Sequence, residues 1–200
     1  MSESTPTRAA VLELKDEQRA MHEGYVFLDE KCLLLAGEIL RELGSHAELE
    51  AALRAAHEAA MAALQAALAR HGLQGLQVQP AADQASSRLD REQRSLMGVR
   101  LQQASWSADG AASAKAVMPS PEAEACRLAF AAVLAAGAKL AAVSGNLERL
   151  SLEYRRSVRR ARALQDVMLP ELDHTIGDIE GRLEELEQED AIWMRRGAAG

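Results

Sequence analysis

The sequence predicts an all-α protein built around a long antiparallel two-helix coiled coil, with a short β-hairpin and loop section between the helices. Hydrophobic residues make up 48% of the 200 residues, yet aromatic residues only 3%. Compact cores depend heavily on aromatic area, whereas Ala, Leu, Glu, Arg and Gln favour helices. Apolar residues also recur in alternating steps of three and four near both ends of the chain, which is the spacing of a coiled-coil seam.

The chain divides into three predicted segments. Residues 1–72 form the N-terminal long helix, and residues 73–119 form a strand-bearing hairpin with a flexible loop. Residues 120–200 form the C-terminal long helix, kinked at Pro170.

The first helix is predicted to begin at Thr5 and Pro6, a hydroxyl N-cap followed by proline at the first helical position. His71 and Gly72 are predicted to end it. At about 1.5 Å per residue such a helix is about 100 Å long, so the expected shape is a rod. Its seam is predicted at Val11, Leu14, Met21, Tyr25, Leu28, Cys32, Leu35 and Ile39.

The middle segment contains short alternating runs, among them Leu96, Val99 and Leu101 with Gly98 between them. This alternation predicts one or two short strands. The small and polar residues of 107–114 predict a loop.

The second helix is predicted to start with Ser120 as N-cap and Pro121 at the first helical position. Near its end, two successive four-residue steps around Pro170 form a stutter, which locally unwinds a coiled coil. Proline removes one helical hydrogen bond and should kink the helix there. The seam of this helix is predicted at Val158, Ala161, Met168, Leu172, Ile176, Ile179, Leu183 and Leu186.

A helix with one apolar line cannot bury that line alone, so the two helices are expected to fold back on each other. This arrangement brings His71 close to Pro121 and the two termini together. It separates Cys32 from Cys126 by about 50 Å along the rod, too far for a disulfide.

The net charge of −7 argues against a protein that coats nucleic acid. The sequence contains no run of 18 apolar residues without a charge, so we predict no membrane span. The first residues also lack the pattern of a secretory signal. A cytoplasmic location with reduced cysteines is therefore expected.

Five arginines crowd one short stretch of the second helix, which we call the arginine collar. One interpretation is a solvated face paired with Glu38 and Glu42 on the opposite helix; the other is a contact surface for an acidic partner. The collar consists of Arg155, Arg156, Arg159, Arg160 and Arg162.

The spacing of titratable residues favours no catalytic, cofactor or metal site. The five histidines show no HxxxH or HExxH spacing, and Gly137 to Lys139 lacks the remainder of a phosphate loop. The acidic residues between Glu180 and Asp190 step around the helix and are expected to form a solvated face. A two-helix rod is also expected to lack a concave, water-excluded pocket of the kind that catalysis needs, which argues against an enzyme.

Three pieces of the sequence together resemble the D subunit family of V-type and A-type ATPases. They are Pro6-Thr7-Arg8 with Leu12 and Leu14, then Leu96-Met97-Gly98-Val99-Arg100, and a terminal motif. The terminal motif comprises Arg159, Arg160, Ala163, Leu164, Val167, Pro170, Leu172, Thr175, Ile176, Ile179, Leu183, Leu186 and Glu187.

The resemblance implies a central-stalk rotor protein, peripheral to the membrane, that transmits torque between ATP turnover and proton or sodium translocation. The implied partners are the catalytic and nucleotide-binding subunits of the head, the small F subunit of the central stalk, and the funnel-shaped subunit above the membrane ring. The collar becomes a possible contact with the head. The alternative is a non-rotary cytoplasmic coiled-coil scaffold or adaptor, which helical periodicity alone does not distinguish from a shaft.

Overall fold

The computed structural model describes residues 7–79, 87–108 and 119–197. The described chain folds as helix α1 (Arg8–Gln77), strands β1 (Ser87–Leu96) and β2 (Val99–Ala108), helix α2 (Pro121–Ala163), a π-helical turn (Leu164–Met168) and helix α3 (Leu169–Gly197). Two long helical stretches with one antiparallel hairpin between them confirm the predicted fold class. The chain forms two compact units: unit 1 comprises Met1–Leu34 and Tyr154–Gly200, and unit 2 comprises Leu35–Glu153.

Helix α1 begins at Arg8, later than predicted. The hydroxyl of Thr7 accepts a hydrogen bond from the backbone N–H of Ala10 at 3.2 Å, so Thr7 is the N-cap. The predicted cap, Thr5, and Pro6 lie outside the described residues.

In unit 1 the start of α1 runs antiparallel to α3. Lys15 Nζ lies 2.6 Å from Glu180 Oε1, and Arg8 pairs with Glu187 further along. Gln18, the polar residue that interrupts the seam of α1, donates a hydrogen bond to Asp173. Beneath these exposed contacts a small apolar cluster is formed by Val11, Leu14, Ile176, Ile179 and Leu183.

The predicted seam residues differ in burial. Cys32, Leu35 and Ala161 are buried, together with the apolar cluster described above. Those of intermediate exposure are Met21, Tyr25, Leu28, Ile39, Val158 and Leu172. Met168 and Leu186 are exposed and do not belong to the seam, because Met168 lies in the π-helical turn and Leu186 at the level of Arg8, where α1 begins.

A π-helical turn (Leu164–Met168) lies directly before the predicted stutter around Pro170. The backbone N–H of Leu169 donates to the carbonyl of Leu164, five residues earlier, instead of the four of an α-helix. A proline ring clashes with the carbonyl four residues before it in a regular α-helix, and the wider turn relieves that clash. Helical structure continues on both sides, since α3 starts at Leu169.

In unit 2 the remainder of α1 runs antiparallel to α2. Arg70 Nη1 lies 2.8 Å from Glu122 Oε1, and His71 Nε2 lies 2.5 Å from the hydroxyl of Ser120. Ser120 is the predicted N-cap of α2, confirmed by the hydrogen bond that its Oγ accepts from the N–H of Ala123 at 3.3 Å. Gly72 leaves the helical region with φ of 66° and ψ of 171°, but helix resumes beyond it to Gln77.

The hairpin consists of two ten-residue antiparallel strands in one-to-one register, from Ser87 opposite Ala108 to Leu96 opposite Val99. Met97 and Gly98 form the two-residue turn, both with positive φ (48° and 85°). A turn with two positive φ values matches the twist of the strands and favours Gly. Ser107 belongs to β2 and not to the predicted loop, whose residues 109–114 lie outside the described part.

Three residues of α2 beside the predicted line are buried, in addition to Ala161, which belongs to the predicted seam. Asn146, Leu150 and Ser157 are almost fully buried, and Ser157 directly precedes the predicted seam residue Val158. The small Ser157 side chain leaves room for a close approach of the neighbouring helix.

The stretch from Pro121 to Gly197 contains an 18-residue window with a mean hydropathy of 1.8, and none of that window is buried. By length and composition alone it could cross a membrane, although core helices of soluble proteins meet the same criterion. The sequence criterion of an uncharged apolar run did not reveal this stretch.

Candidate functional site

The hairpin is attached to α2 through the side chain of Asn146, which is only 2% exposed. Its Oδ1 accepts a hydrogen bond from the backbone N–H of Gln102 at 2.8 Å, and its Nδ2 donates to the carbonyl of Gln102 at 2.9 Å. Arg149 extends this edge because its Nε donates to the carbonyl of Arg100 at 2.8 Å. The outer edge of β2 is therefore paired by side chains of a helix, where another strand would otherwise pair.

The opposite strand reaches α1 through Arg94. Its guanidinium donates to Glu38 and, at 3.3 Å, to Glu42, whose other carboxylate oxygen accepts from Asn146 Nδ2 at 3.3 Å. Arg41 also donates to Glu38. Burial raises the pKa of Glu38, but the hydrogen bonds from Arg94 and Arg41 outweigh it and hold the pKa below 4.5. Glu38 therefore stays ionised in this junction.

Apolar contacts complete the junction between hairpin and helices. Val99 and Leu101 alternate with exposed residues of β2 and are buried, Leu101 completely. Sequence reasoning expected strands here but missed Asn146, Arg94 and Arg149. The available signal was that Asn146, a polar residue, lies beside an apolar stripe. Its partner Gln102 lies 44 residues away in the sequence, so spacing alone did not identify the contact.

The hairpin also creates an open groove of about 440 Å³ beside the helices. Glu42, Lys139 and Asn146 line it together with residues of both strands. The groove is open to solvent, and it arises because the hairpin packs against the two helices.

All five arginines of the collar are exposed. Glu38 and Glu42, the carboxylates predicted to pair with the collar, bind Arg94 and Arg41 instead. Within residues 7–79, 87–108 and 119–197 no ion pair or hydrogen bond involves a collar side chain. The collar therefore presents unpaired positive charge.

The acidic stretch of α3 is exposed, as expected, but it is not purely a solvated face. Glu180 and Glu187 bind Lys15 and Arg8 across the helix pair. Glu184, Glu185 and Asp190 are exposed to solvent.

Exposed apolar residues form a cluster on α1 that the sequence did not predict. We call it the α1 patch: Val26, Phe27, Leu33 and Leu34, with exposures of 42%, 56%, 68% and 53%. Helical periodicity did not reveal the patch because α1 carries apolar residues both in the seam and beside it.

Comparison with known proteins places the whole chain in one family. The family model for the D subunit of ATP synthase matches residues 10–196. The D subunit of the V-type ATP synthase of Thermotoga neapolitana is 24% identical over 192 residues, which cover 96% of this chain and 95% of that protein.

Two further relatives match shorter parts of the chain. The D subunit of the A-type ATP synthase of Pyrococcus horikoshii is 36% identical over 67 residues, 34% of this chain and 31% of that protein. The D subunit of the V-type proton ATPase of Arabidopsis thaliana is 33% identical over 72 residues, 36% of this chain and 28% of that protein. Because the family model spans nearly the entire chain, this protein belongs to the ATP synthase D subunit family.

Proposed function

We propose that this chain is the central rotor shaft of a V-type or A-type ATPase and transmits torque between ATP turnover in the head and proton or sodium translocation in the membrane. The observation that carries the proposal is the match to the D subunit family over residues 10–196. The shaft itself performs no catalysis and binds no cofactor. It works in the cytoplasm, peripheral to the membrane, as part of the complex.

The helix pairing supports a torque-bearing role. In unit 1 a twist applied to α1 is resisted by the cluster around Ile176 and by the Lys15–Glu180 bridge. In unit 2 the Asn146 and Arg94 contacts hold the hairpin against both helices. Packed interiors resist deformation, so such pairs carry load with little distortion.

The partners in this proposal are the catalytic and nucleotide-binding subunits of the head, the small F subunit, and the funnel-shaped subunit above the membrane ring. The unpaired collar supports a contact with the head, since exposed guanidinium groups bind carboxylates in two-point geometry. The exposed side chains of Met61, Leu128 and Leu134 in unit 2 support a seat on the funnel-shaped subunit.

The alternative is a non-rotary coiled-coil scaffold. A complex purified without its own shaft and reconstituted with this chain distinguishes the two. We expect ATP-driven ion pumping to return with the wild-type chain and with Leu12→Ala, an exposed control. Ile179→Asp, which places a charge in the buried cluster, should fail to restore pumping. Pumping that never returns with the wild-type chain would favour the scaffold.

A further inference from the structure

The hydrogen-bonding edge of β2 is open beyond Gln102. Asn146 pairs with both backbone groups of Gln102, so those groups point away from β1. In an antiparallel pair every second residue points the same way, so the N–H and carbonyl groups of Ala104 and Trp106 also face outward. Within residues 7–79, 87–108 and 119–197 these groups have no hydrogen-bond partner. An open strand edge is a site where another strand can pair.

The groove beside the hairpin lies along this open edge. Ala142 and Val143, one helical turn before Asn146, line it together with Ala104. Because their short side chains carry no polar group, α2 pairs with the edge only as far as Gln102. A strand residue occupies about 160 Å³, given a rise of about 3.3 Å, a strand spacing of about 4.8 Å and a layer spacing of about 10 Å. The groove of about 440 Å³ therefore has room for a short stretch of added strand.

The charges in the groove favour a basic occupant. Glu42, Asp90 and Glu92 supply three carboxylates, and Lys139 is the one cation among the described residues that line it. Glu42 and Asp90 already form ion pairs with arginines of the hairpin. Glu92 is exposed and forms no ion pair with any residue in the described part of the chain. A Lys or Arg brought into the groove would therefore find a free carboxylate.

We propose that this edge of β2 is a strand-addition site for an extended segment of another subunit of the ATPase complex. The segment forms main-chain hydrogen bonds with Ala104 and Trp106, which supply affinity, and its side chains supply specificity. A Lys or Arg of the segment binds Glu92, and a small apolar side chain covers Ala142 and Val143. This inference rests on the proposed function, because it names a contact that the shaft makes within the complex.

Hydrogen exchange with single-residue resolution tests whether the edge is covered. In the free chain we expect the amides of Ala104 and Trp106 to exchange quickly, because they face solvent. In the assembled complex they should exchange roughly tenfold more slowly. Arg91 is the matched control, since it pairs with Ala104 and its N–H faces outward from the other edge of the hairpin. Its exchange rate should be the same in both samples.

A photo-cross-linker identifies the segment. The chain carries p-benzoylphenylalanine in place of Ser105, which lines the groove, or of Gln93, an exposed residue of β1 outside it. In the assembled complex we expect the Ser105 probe to join an extended segment of another subunit that contains Lys or Arg. The Gln93 probe should not join that segment.

Affinity then tests the pairing, with a synthetic peptide of the cross-linked segment as the probe. Ala104→Pro removes the outward N–H and places a ring at the edge, so the Kd should rise roughly tenfold. Arg91→Pro makes the same change at the other edge and should leave the Kd unchanged. The amides of Leu101 and Gln103 face β1, and their continued protection in both variants shows that the hairpin is intact.

A second pair of variants tests the charge. Glu92→Gln should raise the Kd of the same peptide and flatten its salt dependence, because it removes the free carboxylate. Glu48→Gln removes equal charge from an exposed position of α1 outside the groove and should leave both unchanged.

The outcomes separate the two proposals. A complex that pumps ions while Ala104 and Trp106 exchange as fast as in the free chain overturns the strand-addition site alone. Slow exchange of these amides in the free chain, a Ser105 probe that reacts only with its own chain, or equal effects of the two proline variants also overturns it. A chain that enters no ATPase complex overturns both proposals.

Discussion

Asn146 occupies the place of a neighbouring strand for Gln102: one side-chain amide satisfies both the N–H and the carbonyl of the same backbone residue. The carboxamide has the same donor and acceptor groups as a peptide, so it pairs an edge strand in peptide-like geometry. Because Asn146 also donates to Glu42, one buried side chain links the hairpin to both long helices of unit 2.

Removing this side chain should weaken unit 2. Asn146→Ala leaves the N–H and carbonyl of Gln102 and one oxygen of Glu42 without their partner, at a cost of about 2 kcal/mol in the free energy of unfolding. Urea unfolding monitored by circular dichroism measures it. Gln103→Ala, an exposed neighbour on β2, is the control and should change stability by less than about 0.5 kcal/mol. Equal stability of the two variants would refute the role of Asn146.

The Arg94–Glu38 pair should make stability depend on acid. The pKa of Glu38 in the folded protein lies below its unfolded value of 4.5, so the ionised carboxylate contributes stability above pH 4.5. That contribution disappears as pH falls through the folded pKa. Arg94→Met should therefore lower stability at pH 7 and reduce the further loss between about pH 5 and pH 3.

The matched control for this experiment is Arg91→Met on the same strand, since Arg91 is exposed. Urea midpoints measured from about pH 7 to pH 3 should be parallel for this control and the wild type. An acid-induced loss of the same size in Arg94→Met would show that Glu38 does not depend on Arg94.

The π-helical turn should tolerate the loss of one residue. A turn closed over five residues holds one residue more than an α-helical turn, so deleting exposed Val167 together with Pro170→Ala allows a regular helix without rotating α3. We expect helicity to remain and stability to change by less than about 1 kcal/mol.

A deletion in regular helix should behave differently. Removing exposed Asp178 rotates Ile179 and Leu183 by about 100° relative to Ile176 and exposes both, at a cost of about 3 kcal/mol. Urea unfolding of the two deletions compares them directly. If both deletions were equally destabilising, the π-helical turn would not contain an extra residue that the helix can lose.

The small cluster in unit 1 should be sensitive to truncation. Ile179→Ala removes a buried side chain that packs with Val11 and Ile176, and we expect a loss of about 2 kcal/mol, at the low end for core truncations because the cluster is small. Leu12→Ala deletes a comparable but exposed side chain and serves as control. Amide hydrogen exchange in α3 reports the local effect. If the amide protons of α3 were equally protected from exchange in Ile179→Ala and in the wild type, the apolar cluster would not be what stabilises unit 1.

The sequence predicts features that depend on local spacing. The seam positions Val11, Ile176 and Ile179 follow from three- and four-residue steps, and Gly98 marks the hairpin turn. The chain reversal follows because a single apolar line requires a partner.

The features that escape prediction depend on distant partners. Asn146 is buried because its side chain pairs with the backbone of Gln102, 44 residues away in the sequence. Glu38 was expected to pair with the collar because the sequence does not reveal that Arg94 lies beside it. The α1 patch escapes for a different reason. Helical spacing does not reveal which of two apolar lines on α1 meets another helix and which meets solvent.

The most direct test of the rotor proposal is single-molecule rotation. The head is fixed to a surface, and a bead is attached through a cysteine introduced by Gln103→Cys on the exposed side of β2; the native cysteines, Cys32 and Cys126, are buried. We predict continuous rotation in one direction when ATP is added, stopping when ATP is removed. A bead that stays still while the same complexes hydrolyse ATP would contradict the rotor account.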